Sequence, residues 1–102
     1  GPTIPCVPYV TWGTQELADY ILGALSNRLA CLLANHGMVC IGPDLKKAAW
    51  LAVEVEALAA QYWQALQIGE PHVLPDDEIA RVIAKFKDYG QGGDTRKMPS
   101  CC

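Results

Sequence analysis

Basic residues are scarce in this sequence: eight Lys and Arg stand against eleven Asp and Glu over 102 residues, a net charge of −3. Dispersed along the chain, they make no basic stripe of the kind that neutralises phosphates, so nucleic acid is not expected as a partner. Also lacking is any run near the roughly 20 apolar residues that span a bilayer, or a basic-then-apolar leader. No membrane association is expected, and the cytoplasm is the expected setting. Cys-x-x-Cys knuckles are absent and the cysteine count of five is odd, which argues against a structural zinc knuckle and against a disulfide framework. Cys6, Cys31 and Cys40 fall in apolar, strand-like runs and are expected to be small packing thiols, while Cys101-Cys102 reads as a solvated tail rather than a lipidation signal. Histidine is equally sparse, with only His36 and His72.

What the chain does have is apolar material: at 51% hydrophobic, it can bury the core of one domain. Prolines punctuate the first β formers, Ile4-Pro5-Cys6-Val7-Pro8-Tyr9-Val10, which limits them to an edge strand. Thr14 then opens a helix, because its hydroxyl can accept an early backbone N–H and Glu16 complements the dipole. Leu17, Tyr20, Ile21, Ala24 and Leu25 share one face of it, and Asn27 and Arg28 end it. Two apolar runs follow, Leu29 to Leu33 and Met38 to Ile41, interrupted by Asn35-His36-Gly37. Such a break predicts a β pair folded or bulged at the triplet, with Gly37 supplying the backbone freedom. It also mounts the His36 imidazole at the end of a rigid element, where ligands are usefully held; a plain turn histidine with a satisfied hydrogen bond is the other reading.

Asp44 is placed to cap the longest element, a helix to about Ile68 with the stripe Leu45, Ala48, Ala52, Val55, Ala59, Tyr62 and Leu66. Trp50, Val53, Ala57 and Leu58 widen its apolar surface, so one flank is expected on a sheet and a second against another element or subunit. Gly69 and Pro71 stop it. Asp76 is expected to cap a last helix carrying Ile79, Val82, Ile83 and Phe86, closed by Gly90 just beyond Tyr89, with a flexible polar tail over 91–102. The order is α/β without internal repeats, and its strands are too few to close a sheet. Since the chain opens on a broken strand without methionine, an upstream segment is expected, Gly1-Pro2 reading as the scar of a removed tag.

The chain resembles the class II aldolase/adducin superfamily over residues 3 to 90, and within it the L-fuculose-phosphate aldolases. The resemblance is carried by Ile4-Pro5-Cys6-Val7-Pro8-Tyr9, by Trp12-Gly13-Thr14 with a helix ending Ser26-Asn27-Arg28, and by Leu32-Leu33-Ala34-Asn35-His36-Gly37. Further matches are Lys47-Ala48-Ala49-Trp50-Leu51-Ala52, Glu54-Val55-Glu56, Asp77-Glu78-Ile79-Ala80 and Lys85-Phe86-Lys87-Asp88-Tyr89-Gly90. It implies that residues 1–90 are the C-terminal part of a three-layer α/β/α domain with a mostly antiparallel central sheet. It implies also a zinc-dependent enzyme that cleaves a ketose 1-phosphate into dihydroxyacetone phosphate and an aldehyde. Zinc there acts as a Lewis acid that stabilises the enediolate.

On the family pattern the metal is held by three histidines, and the last, before a glycine, maps onto His36. A tyrosine near the C-terminus, donated across a subunit boundary of a tetramer, maps onto Tyr89 as a proton-transfer group; the plainer role for Tyr89 is to end a helix with its ring on Phe86. Trp12 falls where the family often has an aromatic at the substrate rim, although an aromatic before a helix can equally serve as a staple. The family's His-x-His pair, catalytic glutamate and glycine- and serine-rich phosphate loops are absent from this sequence. His72, in a Pro-rich turn, and Glu54 and Glu56, mid-helix, are not promoted in their place. The resemblance therefore implies a sugar-phosphate aldolase that is inactive as this chain alone. The alternatives are a non-catalytic, adducin-like assembly module, or an epimerase or dehydratase on the same scaffold.

Overall fold

Pro5 and Pro8 leave room for only a two-residue strand between them, and in the computed structural model, which describes residues 2–88, β1 is Cys6–Val7. Proline offers no N–H, but its carbonyl can still enter a ladder. Leu32 donates its N–H to the Pro5 carbonyl at 2.8 Å, and Ala34 to that of Val7 at 3.1 Å. These bonds tie β1 in parallel to β2, Ala30–Leu33, with Cys6 opposite Leu32 and Val7 opposite Leu33. β2 then folds back antiparallel onto β3, Gly37–Cys40, in the register Cys31↔Val39. The sheet, ordered β1-β2-β3, is thus mixed, which corrects the expected mostly antiparallel one. The physical reason is connectivity: β1 and β2 are joined through a helix, and such a crossover returns the chain in the same direction.

That crossover helix is α1, Gln15–Ala24. Thr14 caps it, accepting the Leu17 N–H on its hydroxyl oxygen at 3.3 Å while the hydroxyl donates to the Thr11 carbonyl at 2.8 Å. Its C-terminus lies at Ala24, before the expected Asn27: the Leu25 N–H still makes the helical bond to the Ile21 carbonyl at 2.9 Å, but the Ser26 N–H turns to that of Gly23 at 3.4 Å. Leu17 is buried with Val7, Cys31 and Leu33, and Ile21, Ala24, Leu25 and Val39 pack around them. Burial of each such aliphatic side chain contributes about 2 kcal/mol. Tyr20, expected on this face, is exposed.

Strand alternation sends Ala30, Leu32, Met38 and Cys40 to the other face. There lies α2, Leu45–Ile68, capped by Asp44, whose carboxylate accepts the Lys47 N–H at 2.7 Å. The strand-to-helix connection needs Gly42, since a Cβ there would stand 3.0 Å from the Ala48 nitrogen. Val55 is buried and Ala48, Leu51 and Ala52 are half-buried, but Leu45, Ala59, Tyr62 and Leu66 of the expected stripe are exposed. A 24-residue helix is about 36 Å long at ~1.5 Å per residue. A four-residue strand reaches about 13 Å at ~3.3 Å per residue, so the sheet covers only part of the helix.

Residues Thr3–His72 form one unit and the chain from Val73 another. In the second, α3 spans Asp76–Asp88. Its opening differs from the expected Asp76 cap: Asp76 is already helical, and the Pro75 carbonyl accepts the N–H groups of Glu78 and Ile79 at 3.0 and 3.1 Å. Arg81 bridges Asp77, at 3.3 Å, and Glu78 on its exposed face. Tyr89, Gly90, the tail over 91–102 and Cys101-Cys102 lie outside the described residues. Among the described residues no helix is long and apolar enough to cross a membrane.

Candidate metal centre at the turn between the second and third strands

His36 belongs to the three-residue reversal Ala34-Asn35-His36 that links β2 to β3. The turn is closed by the His36 N–H donating to the Leu33 carbonyl at 3.1 Å, and its base is pinned to β1 by the bond from Ala34 to Val7 at 3.1 Å. Two residues here have positive φ, Asn35 at 58°, in the left-handed helical region, and Gly37 at 159°. Gly37 thus has the unusual backbone angle expected of it, one that L side chains rarely adopt, and Asn35 adds a second. Asparagine is among the few non-glycine residues that tolerate this region. That tolerance is the signal by which Asn35 could have been found from sequence.

The backbone under His36 is therefore held from two sides, while its side chain is exposed. Among the described residues no side-chain hydrogen bond engages the imidazole, so both ring nitrogens are presented for a ligand. Imidazole is a common zinc donor, but one donor does not make a shell. Among the described residues no three His, Cys, Asp or Glu side chains are grouped to hold an ion. His36 could thus supply one donor to a metal ion, and the described residues offer no grouped partners for it.

Trp12, 77% exposed, sits in the segment that leaves the carboxyl end of β1 and leads to α1. His36 follows the carboxyl end of β2, which runs parallel to β1. Topology therefore delivers both residues to the same end of the sheet, the end where α/β folds place ligands. Tyr89, the third expected site residue, is outside the described residues. His72 is exposed at the end of the first unit, and Glu54 and Glu56 are exposed along α2. A groove of about 260 Å³, with Arg28, Ala30, Leu51 and Val55 in its walls, opens beside the start of β2, at the opposite end of that strand from His36.

The thiols separate by depth. Cys31 is fully buried and Cys40 half-buried, but Cys6 is exposed, so its expected packing role does not hold: β1 is an edge strand, and α2 does not cover its outer residue. Burial pushes the Cys31 thiol up, aided by the neighbouring Cys40 and Cys6 and opposed by a hydrogen bond with the Val39 backbone; burial raises Cys40 as well.

Comparison with known proteins places these features in context. The family model of the class II aldolase and adducin N-terminal domain matches residues 1–63. The chain is 55% identical over 92 residues to a 5-methylthioribulose-1-phosphate/5-deoxyribulose-1-phosphate aldolase of Rhodospirillum rubrum, covering 90% of this chain and 40% of that protein. It is 52% identical over 91 residues to the L-fuculose phosphate aldolase of Escherichia coli, covering 88% of this chain and 42% of that protein. A solved L-fuculose 1-phosphate aldolase superposes with a TM-score of 0.79 at 42% identity, over 82% of this chain and 40% of that one. The chain thus spans about two fifths of the length of these relatives.

Proposed function

Because this chain belongs to the class II aldolase and adducin family, we propose that it is the C-terminal part of a zinc-dependent sugar-phosphate aldolase. The reaction is cleavage of a ketose 1-phosphate of the L-fuculose type into dihydroxyacetone phosphate and an aldehyde. The observation that carries this reading is the exposed His36 imidazole on a turn whose backbone is hydrogen-bonded to both β1 and β2. When bound, zinc supplies the Lewis acidity that polarises the substrate oxygens.

His36 contributes one of the metal's ligands, and its fixed backbone limits how far that ligand can stray. Trp12, delivered to the same end of the sheet, forms an apolar wall at the substrate rim. Tyr89 serves as the proton-transferring phenol at the aldehyde end, contributed to a neighbouring subunit of a homotetramer. The cytoplasm is the proposed setting. The relatives cited are all named as aldolases, which favours this reading over an adducin-like assembly module or an epimerase.

In the full-length protein, His36→Ala is expected to lower zinc content and ketose 1-phosphate cleavage together while the thermal midpoint changes little. Full zinc occupancy in that variant would return His36 to the status of a turn residue. The 102-residue chain alone is expected to show no cleavage with added zinc, because one histidine cannot close a coordination shell. Turnover by the pure chain would overturn the proposal that it is only part of the enzyme.

A further inference from the structure

Asn35 is the sole non-glycine among the described residues with a positive φ, at 58°, and it immediately precedes His36. We propose that Asn35 is a positioning residue for the metal: its left-handed backbone, at the centre of the three-residue reversal, presents the His36 imidazole to the site, an inference that rests on His36 being a zinc ligand.

The backbone on either side of Asn35 is already committed. Ala34 donates to Val7 and His36 to Leu33, each at 3.1 Å, and Gly37 is paired with Leu33 in the ladder. The reversal between Ala34 and His36 therefore falls on Asn35. Most L-residues resist the left-handed region because Cβ crowds the following carbonyl; asparagine and aspartate tolerate it, glycine adopts it freely, and β-branched residues are the least suited. A poorly suited residue shifts the turn toward other conformations, which rotates the peptide leading into His36. Only the fraction of molecules with the native turn then binds at full strength, and the apparent dissociation constant rises by the inverse of that fraction.

The test compares Asn35→Gly, Asn35→Asp, Asn35→Ala and Asn35→Val in the full-length protein. Each variant is stripped with chelator, and the zinc dissociation constant is read by competition with a chromophoric chelator beside the thermal midpoint of the metal-free form. Gly and Asp are expected to bind within about twofold of the parent, Ala roughly tenfold more weakly, and Val more weakly still. Rescue by Gly, which has no side chain, separates the backbone role from any hydrogen bond of the amide. The proposal is overturned if Ala and Val bind zinc like the parent and lower only the metal-free midpoint, or if Gly binds as weakly as Ala. His36→Ala in the same assay keeps the two ideas apart. Zinc lost there but kept in Asn35→Ala and Asn35→Val refutes the positioning role alone, whereas zinc kept in His36→Ala refutes the metal site.

Discussion

The two faces of the sheet are served by very different helices. α1 has ten residues and α2 has 24, yet the short helix makes the denser core. Leu17 of α1 is buried with Val7, Cys31 and Leu33, whereas Val55, at 4% exposure, is the buried residue of α2. Trp50, Val53, Leu58 and Trp63 of α2 stay exposed despite their apolar character. Burial here follows overlap between elements rather than hydrophobic content. α1 matches the footprint of a short sheet, while α2 runs roughly 20 Å past it, as the per-residue rises of helix and strand require.

The contrast can be broken most directly by equal truncations on the two helices. Leu17→Ala is expected to cost about 3 kcal/mol, as for other buried leucines. Leu45→Ala, at a site 85% exposed, is expected to cost less than about 0.5 kcal/mol. Urea unfolding of the chain followed by circular dichroism measures both. Similar losses would mean that α2 is buried over a greater length than its overlap with β2 and β3 allows.

A smaller effect sharpens the comparison at the helix starts. Asp44→Ala and Thr14→Ala each remove a cap, at a cost of about 1 kcal/mol. The carboxylate bond of Asp44 is 2.7 Å long and the hydroxyl bond of Thr14 is 3.3 Å. Charged, shorter hydrogen bonds are the stronger ones, so the loss at Asp44 is expected to exceed that at Thr14 in the same unfolding assay. The reverse order would show that the packing of α1 on the core amplifies its cap.

The smallest expected effect is on pH dependence. Burial raises the Cys31 thiol in the folded state, so the protonated form is favoured there more than in the unfolded chain, whose thiols titrate near about 8.5. Its contribution to stability is therefore complete below that value and is lost as pH rises through the folded value. The unfolding midpoint is expected to be level from about pH 7 to 8 and to decline above about 9. Cys31→Ala, on the α1 face, is expected to flatten that decline more than Cys40→Ala on the α2 face, because Cys31 is fully buried and Cys40 only half. Identical slopes in the two variants would erase the distinction between the faces at this level.

Much of the local structure could be read residue by residue. Thr14 and Asp44 cap the helices they were expected to cap, because a cap acts within three residues of itself. The broken apolar run around His36 is a β pair, and the proline-flanked start is an edge strand. At the candidate site, the exposed turn carrying His36 and the unusual angle of Gly37 were legible, while the left-handed Asn35 beside them was not. Asparagine tolerates a left-handed position without requiring one, and only the folded turn puts Asn35 there.

The sequence by itself determined where α1 and α2 begin, where the apolar runs break, and which family the residues resemble, since caps, turns and motifs depend on neighbours along the chain. The tertiary structure decided that the sheet is mixed, that Cys6 is exposed while Cys31 is sealed, and that α2 buries Val55 but not Leu45 or Leu66. Those outcomes depend on which strand lies alongside which, and on how far each element reaches across the next. Such contacts join residues remote in sequence, and no local pattern encodes their distance.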